Sequence, residues 1–191
     1  LRPNEDKLTF SVMFQLNEKA EVQNYWIGKT VIHSNRRFTY EEVQEIIEGK
    51  DGDHQDVIRT LHNLSQQIRK VKFDNGAINF ASEEVRFKLD EDGTPIDVII
   101  KESKESHQLI EELMLLANRT VSEYASKIKS NKVSVPFPYR VHDTPDLDKL
   151  KSFAAFAERF GHKFDLSSPD SIALSFNKMI VKSAEFPEQE I

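Results

Sequence analysis

The stretch FSVMFQLNEKAEVQNYWIGKTVI, residues 10–32, decides the fold class of this chain of 191 residues. Between Phe10 and Leu16, apolar side chains occupy every second position, which is the period of a β-strand. Asn17 and Glu18 offer a turn, and the run 22–32 is rich in aromatic and β-branched residues, as strands are. The sequence therefore predicts an antiparallel hairpin.

Two helical patterns follow this hairpin. Thr39 and Glu42 have the spacing of a capping box and predict a short helix that ends at Gly49. From His54 onward, apolar residues recur at three or four positions, which predicts a helix of about five turns with one apolar face. The apolar residues of this face are Val57, Leu61, Leu64, Ile68 and Val71.

A second hairpin is predicted in the middle of the chain. Short β-like runs occur at 77–80 and 84–89, and a turn at 90–93 precedes the apolar run 96–100. The segment 133–141 contains two prolines, which favour an extended, edge-type conformation.

The remaining patterns are helical. The strongest runs from 109 to 128, where apolar residues keep a helical period and polar residues lie opposite. The dipeptides Thr-Pro at 144–145 and Ser-Pro at 168–169 each put a capping residue before a proline, and they predict helices near 145–160 and 169–182. The expected fold class is α+β, with antiparallel hairpins packed against several α-helices.

Composition excludes several classes of function. The chain has no cysteine, so disulfide frameworks and thiol nucleophiles are impossible, and a cytoplasmic location is expected. Apolar runs are too short to cross a membrane, and LRPNEDKL at the start is no signal peptide. The six glycines are scattered, so no phosphate loop for a nucleotide cofactor is expected. A net charge of −6 argues against a general polyanion-binding surface and requires any nucleic-acid contact to be local.

Residue types and spacing leave three chemical alternatives open. His107 and Glu111 have the spacing of two metal ligands on one helical face, but no third ligand has a fixed spacing to them. The acidic turn at 90–93 resembles part of a calcium loop, although a hairpin turn fits it better. His142 and Asp143 form a possible catalytic dyad or, as is more common, part of a helix cap.

Five blocks of sequence resemble the catalytic (RNB) domain of the ribonuclease R and ribonuclease II family of exoribonucleases. In chain order they are LRPNEDKL, SNRRFTYEEVQEIIEG, NGAINFASEEVRFKLDEDG, SHQLIEELMLLAN and PYRVHDTPD, and they cover nearly the whole chain. GAINF and YRVHD look closer to the ribonuclease R branch. The resemblance implies processive 3′-to-5′ hydrolysis of RNA to nucleoside 5′-monophosphates with a divalent metal, usually Mg²⁺.

The resemblance also implies that residues 1–191 are a partial RNB domain. The family's metal-binding aspartates lie upstream of the LRPN block and its arginine-rich part lies downstream, so the ligands of Mg²⁺ are expected outside this chain. The chain alone is then expected to be inactive and to hold no metal. An alternative is a noncatalytic RNA-binding or scaffold module, derived from the same domain by loss of those aspartates.

Three residues match family positions at the 3′ end of single-stranded RNA. Phe80 corresponds to an aromatic residue that stacks on terminal bases, although a phenylalanine in a β-like run is more often core. Tyr40 corresponds to a tyrosine near the last nucleotides, and Glu111 corresponds to an acidic residue beside the scissile end. Without the resemblance, the simpler interpretation is that both are solvent-facing residues of helices. Arg36 and Arg37 are candidates for phosphate contacts, although paired arginines before a helix are usually solvated.

Overall fold

The computed structural model describes residues 2–78, 84–101, 103–130, 133–134 and 136–185. Helices and antiparallel hairpins both occur, so the predicted α+β class is confirmed. The elements are β1 (Asp6–Leu16), β2 (Val22–His33), α1 (Tyr40–Ile47), α2 (Gln55–Asp74), β3 (Glu84–Leu89), β4 (Pro95–Lys101), α3 (Glu105–Lys127), β5 (Lys129–Ser130), β6 (Val133–Ser134), α4 (Leu147–Glu158) and α5 (Pro169–Glu185).

The chain divides into two compact units. The first combines Leu1–Arg69 with Glu83–Tyr139 and contains the hairpins, α1, most of α2, and α3. The second combines Lys70–Ser82 with Arg140–Ile191 and contains the end of α2, α4 and α5. Among the helices of the described ranges, none has the length and apolarity needed to cross a membrane.

The β1–β2 hairpin is confirmed and is longer than predicted. Its strands pair in antiparallel register from Asp6 opposite His33 to Gln15 opposite Asn24. The side chain of Asn17 closes the turn, because its Oδ1 accepts hydrogen bonds from the backbone N–H groups of residues 19 and 21 at 3.0 and 2.9 Å. Because successive side chains of a strand point to opposite faces, the two-residue period of the sequence gives this hairpin two chemically different faces.

The second hairpin, β3–β4, is also confirmed. Asp90 Oδ1 accepts hydrogen bonds from the backbone N–H groups of Asp92 and Thr94, so the acidic residues here build a turn, as the hairpin interpretation predicted. Of the β-like run 77–80, the first two residues are not in a strand and the other two lie outside the described residues. The expected edge segment begins as β6, which pairs with β5.

The predicted capping box at the start of α1 is present. Thr39 Oγ1 accepts a hydrogen bond from the backbone N–H of Glu42 at 3.2 Å, and Glu42 Oε2 accepts one from the backbone N–H of Thr39 at 2.7 Å. The helix ends at Ile47, and Gly49 then takes a φ of +109°, a conformation that favours glycine. This end therefore agrees with the prediction.

Only the middle of the apolar face predicted for α2 is shielded from solvent, where Leu61, Leu64 and Ile68 are half-buried. Val57 and Val71 are exposed, whereas Ile58 and Ser65 are buried. Ser65 tolerates burial because its hydroxyl donates to the backbone carbonyl of His62 at 2.8 Å. The two buried positions of α2 thus each follow a residue of the predicted apolar face, Val57 or Leu64.

The polar and apolar sides of α3 are also less separate than predicted. The helix starts at Glu105, one turn before the predicted Leu109, and Glu112 is buried while Met114 is exposed. Glu112 accepts a hydrogen bond from Arg69 of α2 at 2.9 Å. A counter-charge from another helix thus allows a carboxylate to occupy the interior.

The second unit has an aromatic core. Three rings, those of Phe153, Phe164 and Phe176, contact one another with centroid distances of 4.9 to 5.4 Å. Asn177 Nδ2 donates to the carbonyl of Ala77 at 2.8 Å and so ties α5 to the segment after α2.

The caps of the last two helices differ in how well they match the sequence prediction. Ser168 caps α5, since its Oγ accepts from the backbone N–H of Ser171 at 3.1 Å, as expected. The cap predicted at Thr144-Pro145 is wrong, because Asp146 caps α4 by accepting from the backbone N–H groups of Asp148 and Lys149. A carboxylate that reaches two free N–H groups is a strong N-cap.

Candidate functional site

An open groove in the first unit has a volume of about 840 Å³. Its lining comes from residues 33–41 after β2, from 54–61 at the start of α2, and from 106–110 at the start of α3. The N-terminal ends of α1, α2 and α3 meet there, and α1 and α3 contact each other. The groove is therefore built on well-fixed ends of regular structure.

Tyr40 is the first residue of α1 and lies in this groove with its side chain partly exposed. Its ring stacks on the ring of His107 with a centroid distance of 4.1 Å and an interplanar angle of 14°. Because Thr39 caps the helix, the position of Tyr40 is set by backbone hydrogen bonds as well as by the stack. The sequence identified both aromatic residues but not their contact.

Buried hydrogen bonds support the wall of the groove beneath this stack. Gln44 is buried, and its Oε1 accepts from the backbone N–H of Ser106 at 3.1 Å. Gln44 Nε2 in turn donates to Glu48 at 3.0 Å. The Ser106 hydroxyl, which is buried in the groove wall, makes no hydrogen bond within the described part of the chain. The hydrogen bond from Ser106 to Gln44 ties the start of α3 to α1 through a polar side chain in the interior.

Arg36 is held at the mouth of the groove by charged neighbours. Its Nη2 donates to Glu42 Oε1 at 2.9 Å, its Nε lies 3.3 Å from Asp53 Oδ2, and its guanidinium lies 4.6 Å from the centroid of Phe38. The hydrogen bond to Glu42 is the main cause that raises the pKa of Arg36. The pKa of Glu42 is lowered, first by the backbone N–H of Thr39 and then by Arg36.

Arg37 differs from its neighbour although both were predicted as phosphate candidates. Its side chain is exposed in the groove, and across the described ranges its guanidinium makes no ion pair or hydrogen bond. Arg36, in contrast, is already paired with two carboxylates. Arg37 is therefore the better placed of the two to bind an anion.

His54 contributes an imidazole to the lining of the groove. Its φ of +55° lies in the left-handed region, and its carbonyl accepts from the backbone N–H of Ile58 at 3.0 Å, so it stands at the start of α2. Its ring lies edge-on to Phe38 with centroids 6.2 Å apart. At this position the sequence shows a histidine before a helix and no further signal.

Glu111 and Glu112 lie beside Arg69, one helical turn beyond His107. The side chain of Glu111 is 48% exposed and its Oε1 is 3.8 Å from Arg69 Nη1, whereas the side chain of Glu112 is 1% exposed and its Oε1 is 2.9 Å from the same atom. Glu111 is thus the carboxylate that a ligand can reach, and Glu112 is a buried partner of Arg69. Glu111 is not part of the groove lining.

Sequence reasoning missed both Arg69 and Glu112. The spacing of three residues between Leu109 and Glu112 puts both on the buried side of α3, and that spacing was the available signal. Phe80, the third predicted contact, lies outside the described residues.

The described residues contain no group of three His, Asp or Glu side chains placed to hold a metal ion. His107 is engaged with Tyr40, and no third ligand joins it and Glu111. Within the described structure, His142 and Asp143 share no hydrogen bond, so no dyad is formed there. The described residues therefore do not fit a metal centre.

The family model described as RNB domain matches residues 1–190. The chain belongs to this family. The predicted resemblance is therefore confirmed.

Relatives of this RNB-domain chain carry exonuclease names. DIS3-like exonuclease 2 of Schizosaccharomyces pombe is 36% identical over 198 residues, which cover 95% of this chain and 20% of that protein. Two proteins of Arabidopsis thaliana are each 33% identical over 195 residues, covering 94% of this chain and 18% of each relative, and one is named DIS3-like exonuclease 2 and the other Inactive exonuclease DIS3L2. The chain thus spans about a fifth of the length of these relatives.

The fold matches a solved structure as well. Mycoplasma genitalium RNase R, in complex with ribose methylated single-stranded RNA, superposes with a TM-score of 0.82 at 22% identity, over 99% of this chain and 30% of that one. The α+β arrangement described above is therefore that of an RNB domain fragment.

Proposed function

We propose that this chain is the central part of the catalytic domain of a 3′-to-5′ exoribonuclease, which hydrolyses RNA processively to nucleoside 5′-monophosphates. The observation that carries the proposal is the groove at the start of α1, which is lined by Tyr40, stacked on His107, and by Arg37, whose guanidinium has no partner within the described ranges. Mg²⁺ held by aspartates outside these residues belongs to the same proposal, as does a cytoplasmic location.

The groove offers separate contacts for the sugar and the phosphate of a 3′-terminal nucleotide. One face of the Tyr40 ring is covered by His107, which leaves its hydroxyl to hydrogen-bond a sugar or phosphate oxygen. Arg37 supplies a charge-assisted contact to a phosphate. Phe80 is proposed to stack on a terminal base. These contacts are independent of base identity, as an unselective exonuclease requires.

Glu111 is proposed to act beside the scissile end of the RNA. Its partly exposed carboxylate accepts hydrogen bonds and can orient the terminal nucleotide or a water. Glu112 takes no such role, because it is buried against Arg69.

RNA binding to the groove is tested by replacing the two neighbouring arginines in turn. Binding of a short single-stranded RNA, labelled at its 5′ end, is measured by fluorescence anisotropy at several salt concentrations. Arg37→Gln is expected to weaken binding and to lower the slope of log affinity against log salt by about 1, because one phosphate contact is lost. Arg36→Gln is the matched control, with a smaller expected loss, since Arg36 is already paired with Glu42 and Asp53. Equal losses for both variants, or no loss for Arg37→Gln, would contradict the proposal.

A noncatalytic RNA-binding or scaffold module is the second candidate function. It is favoured by the two Arabidopsis relatives, which are equally identical to this chain although one is named inactive. The part shared with this chain therefore does not decide between catalysis and binding.

Hydrolysis assays separate the two candidates. The chain of 191 residues is expected to bind labelled RNA in Mg²⁺ without releasing nucleotides, because hydrolysis through a metal-activated water needs clustered carboxylates. The longer protein that contains this chain is expected to release nucleoside monophosphates from the 3′ end. Binding without release by that longer protein would favour the module, and release by the chain alone would refute the placing of the metal ligands outside it.

A further inference from the structure

The β1–β2 hairpin has one face of unusual composition. Directly opposed residues of an antiparallel pair share a face, and one face carries aliphatic and aromatic residues such as Leu8, Phe10 and Phe14. The other, here called the polar face, contains no carboxylate in a chain whose net charge is −6. The polar face consists of the pairs Lys7–Ile32, Thr9–Thr30, Ser11–Gly28, Met13–Trp26 and Gln15–Asn24.

Trp26 is the large aromatic residue of this polar face, and it is 48% exposed. Its indole covers Gly28, because a methyl group at that glycine would lie 2.3 Å from one of the ring carbons. A side chain at position 28 would therefore displace the ring. One side of the indole therefore lies against the backbone at Gly28, while about half of the surface of Trp26 remains exposed to water. Such an aromatic ring can serve as a platform on which a base stacks.

Hydroxyl groups lie next to this platform. Thr30 Oγ1 is 2.7 Å from Thr9 Oγ1 and 2.6 Å from Ser11 Oγ, and the latter two are 3.3 Å apart. Each hydroxyl has one proton and two acceptor lone pairs, so the cluster of Thr9, Ser11 and Thr30 retains acceptors after its internal hydrogen bonds. Ser11 is opposite Gly28, and two residues along a strand span about 6.8 Å, so the cluster lies within a nucleoside's reach of the ring.

We propose that the polar face binds one nucleotide of single-stranded RNA, with its base stacked on Trp26 and its ribose hydroxyl bonded to the cluster of Thr9, Ser11 and Thr30. This inference rests on the proposed function, that the chain binds RNA, and adds a contact separate from the groove. A ribose 2′-hydroxyl both donates and accepts hydrogen bonds, as the cluster does, and it distinguishes RNA from DNA. The polar face offers little free charge, since Lys7 is paired with Glu5, so this contact depends weakly on salt.

The chain provides its own probe for this site, because Trp26 is its sole tryptophan. Tryptophan fluorescence is recorded while the 191-residue chain is titrated with a ten-nucleotide oligouridylate and, in parallel, with the deoxyuridylate of the same length. RNA is expected to quench the fluorescence with the midpoint found by anisotropy, and the deoxyuridylate is expected to bind more weakly. Thr30→Val is expected to reduce this difference between RNA and DNA.

Two variants test the ring itself. Trp26→Ala is expected to weaken RNA binding about tenfold, the usual loss for one base–aromatic stack. Gly28→Ala keeps the tryptophan but displaces its ring, and it is expected to reduce the quenching. Circular dichroism and thermal unfolding show whether each variant remains folded.

Failure of this inference is distinct from failure of the proposed function. If anisotropy shows RNA binding without quenching of the tryptophan fluorescence, and Trp26→Ala lowers only the melting temperature, the indole merely covers Gly28. That result overturns the inference. Equal quenching by RNA and deoxyuridylate overturns the assignment of the hydroxyl cluster. If RNA quenches the fluorescence of Trp26 while Arg37→Gln and Arg36→Gln bind RNA equally well, the contact at the polar face is supported and the contact in the groove is refuted. No binding of RNA by any measure overturns both.

Discussion

Two arginines of the first unit have similar partners in different surroundings. Arg69 donates to Glu112 at 2.9 Å in the interior, where that carboxylate is almost completely shielded from water. Arg36 donates to Glu42 at the same distance and lies 3.3 Å from Asp53, but all three side chains are exposed. The geometry of the pairs is alike, and burial is what differs.

Burial decides what each pair does. In the interior, removal of one partner leaves a charge without water to solvate it, so the Arg69–Glu112 pair has a large effect on the fold. At the surface, water solvates both partners, so the pairs of Arg36 contribute little to the free energy of unfolding. Their effect is instead local, because they hold the loop before α1 and neutralise Arg36, so that Arg37 is the one of the two adjacent arginines proposed to bind phosphate.

The largest effect is expected for Glu112→Ala. It removes the buried carboxylate 2.9 Å from Arg69 Nη1 and leaves Glu111 at 3.8 Å, and we expect a loss of about 3 kcal/mol in the free energy of unfolding, the low end for a broken buried pair. The measurement is urea unfolding followed by circular dichroism. Glu111→Ala is the matched control, since it removes the same charge from the neighbouring, exposed position. It is expected to lower the free energy of unfolding by less than about 0.5 kcal/mol.

A double variant makes this comparison sharper. Replacing both partners, Arg69→Met with Glu112→Leu, is expected to recover most of the stability, because no uncompensated charge remains. If Glu111→Ala and Glu112→Ala destabilise equally, the difference in burial between the two carboxylates has no energetic consequence and the comparison fails.

Features encoded locally were predicted from the sequence. The β1–β2 hairpin follows from a two-residue period and a turn residue, and α1 follows from a capping box whose members are three residues apart. The start of α5 follows from Ser168 before a proline. Where two capping residues compete, as Thr144 and Asp146 do before α4, the sequence did not show which would be used, and the carboxylate with two free N–H groups prevailed.

Features that depend on distant partners were not predicted. The burial of Glu112 requires Arg69, which lies 43 positions earlier on another helix. The groove requires Tyr40 to meet His107, and their sequence neighbours give no indication of that stack. The two adjacent arginines look equivalent in the sequence, and only the positions of Glu42 and Asp53 distinguish them.

The smaller effect is expected at the exposed pair. Arg36→Gln removes one of the hydrogen bonds that lower the pKa of Glu42, so this pKa is expected to rise toward its ordinary value. It is expected to stay below that value, because the backbone N–H of Thr39, the larger cause, still donates to the same carboxylate. The pKa is measured by NMR titration of the Glu42 side-chain carboxyl carbon. An unchanged pKa would show that Arg36 does not act on this carboxylate.

The same variant should change how stability depends on pH, in a direction that follows from the lowered pKa of Glu42. A carboxyl whose pKa is lower in the folded chain stabilises the fold above its unfolded pKa, and this contribution is lost as the pH falls through the folded pKa. Arg36→Gln narrows the gap between these two pKa values, so the variant should be slightly less stable than the native chain at neutral pH. Below both pKa values Glu42 is protonated in either chain, and the difference due to this carboxylate should disappear. A difference that persists in acid would instead assign the effect of Arg36 to its contacts that do not titrate, which are the hydrogen bond from its Nη1 to the backbone carbonyl of Arg37 at 2.7 Å and the Phe38 ring 4.6 Å away.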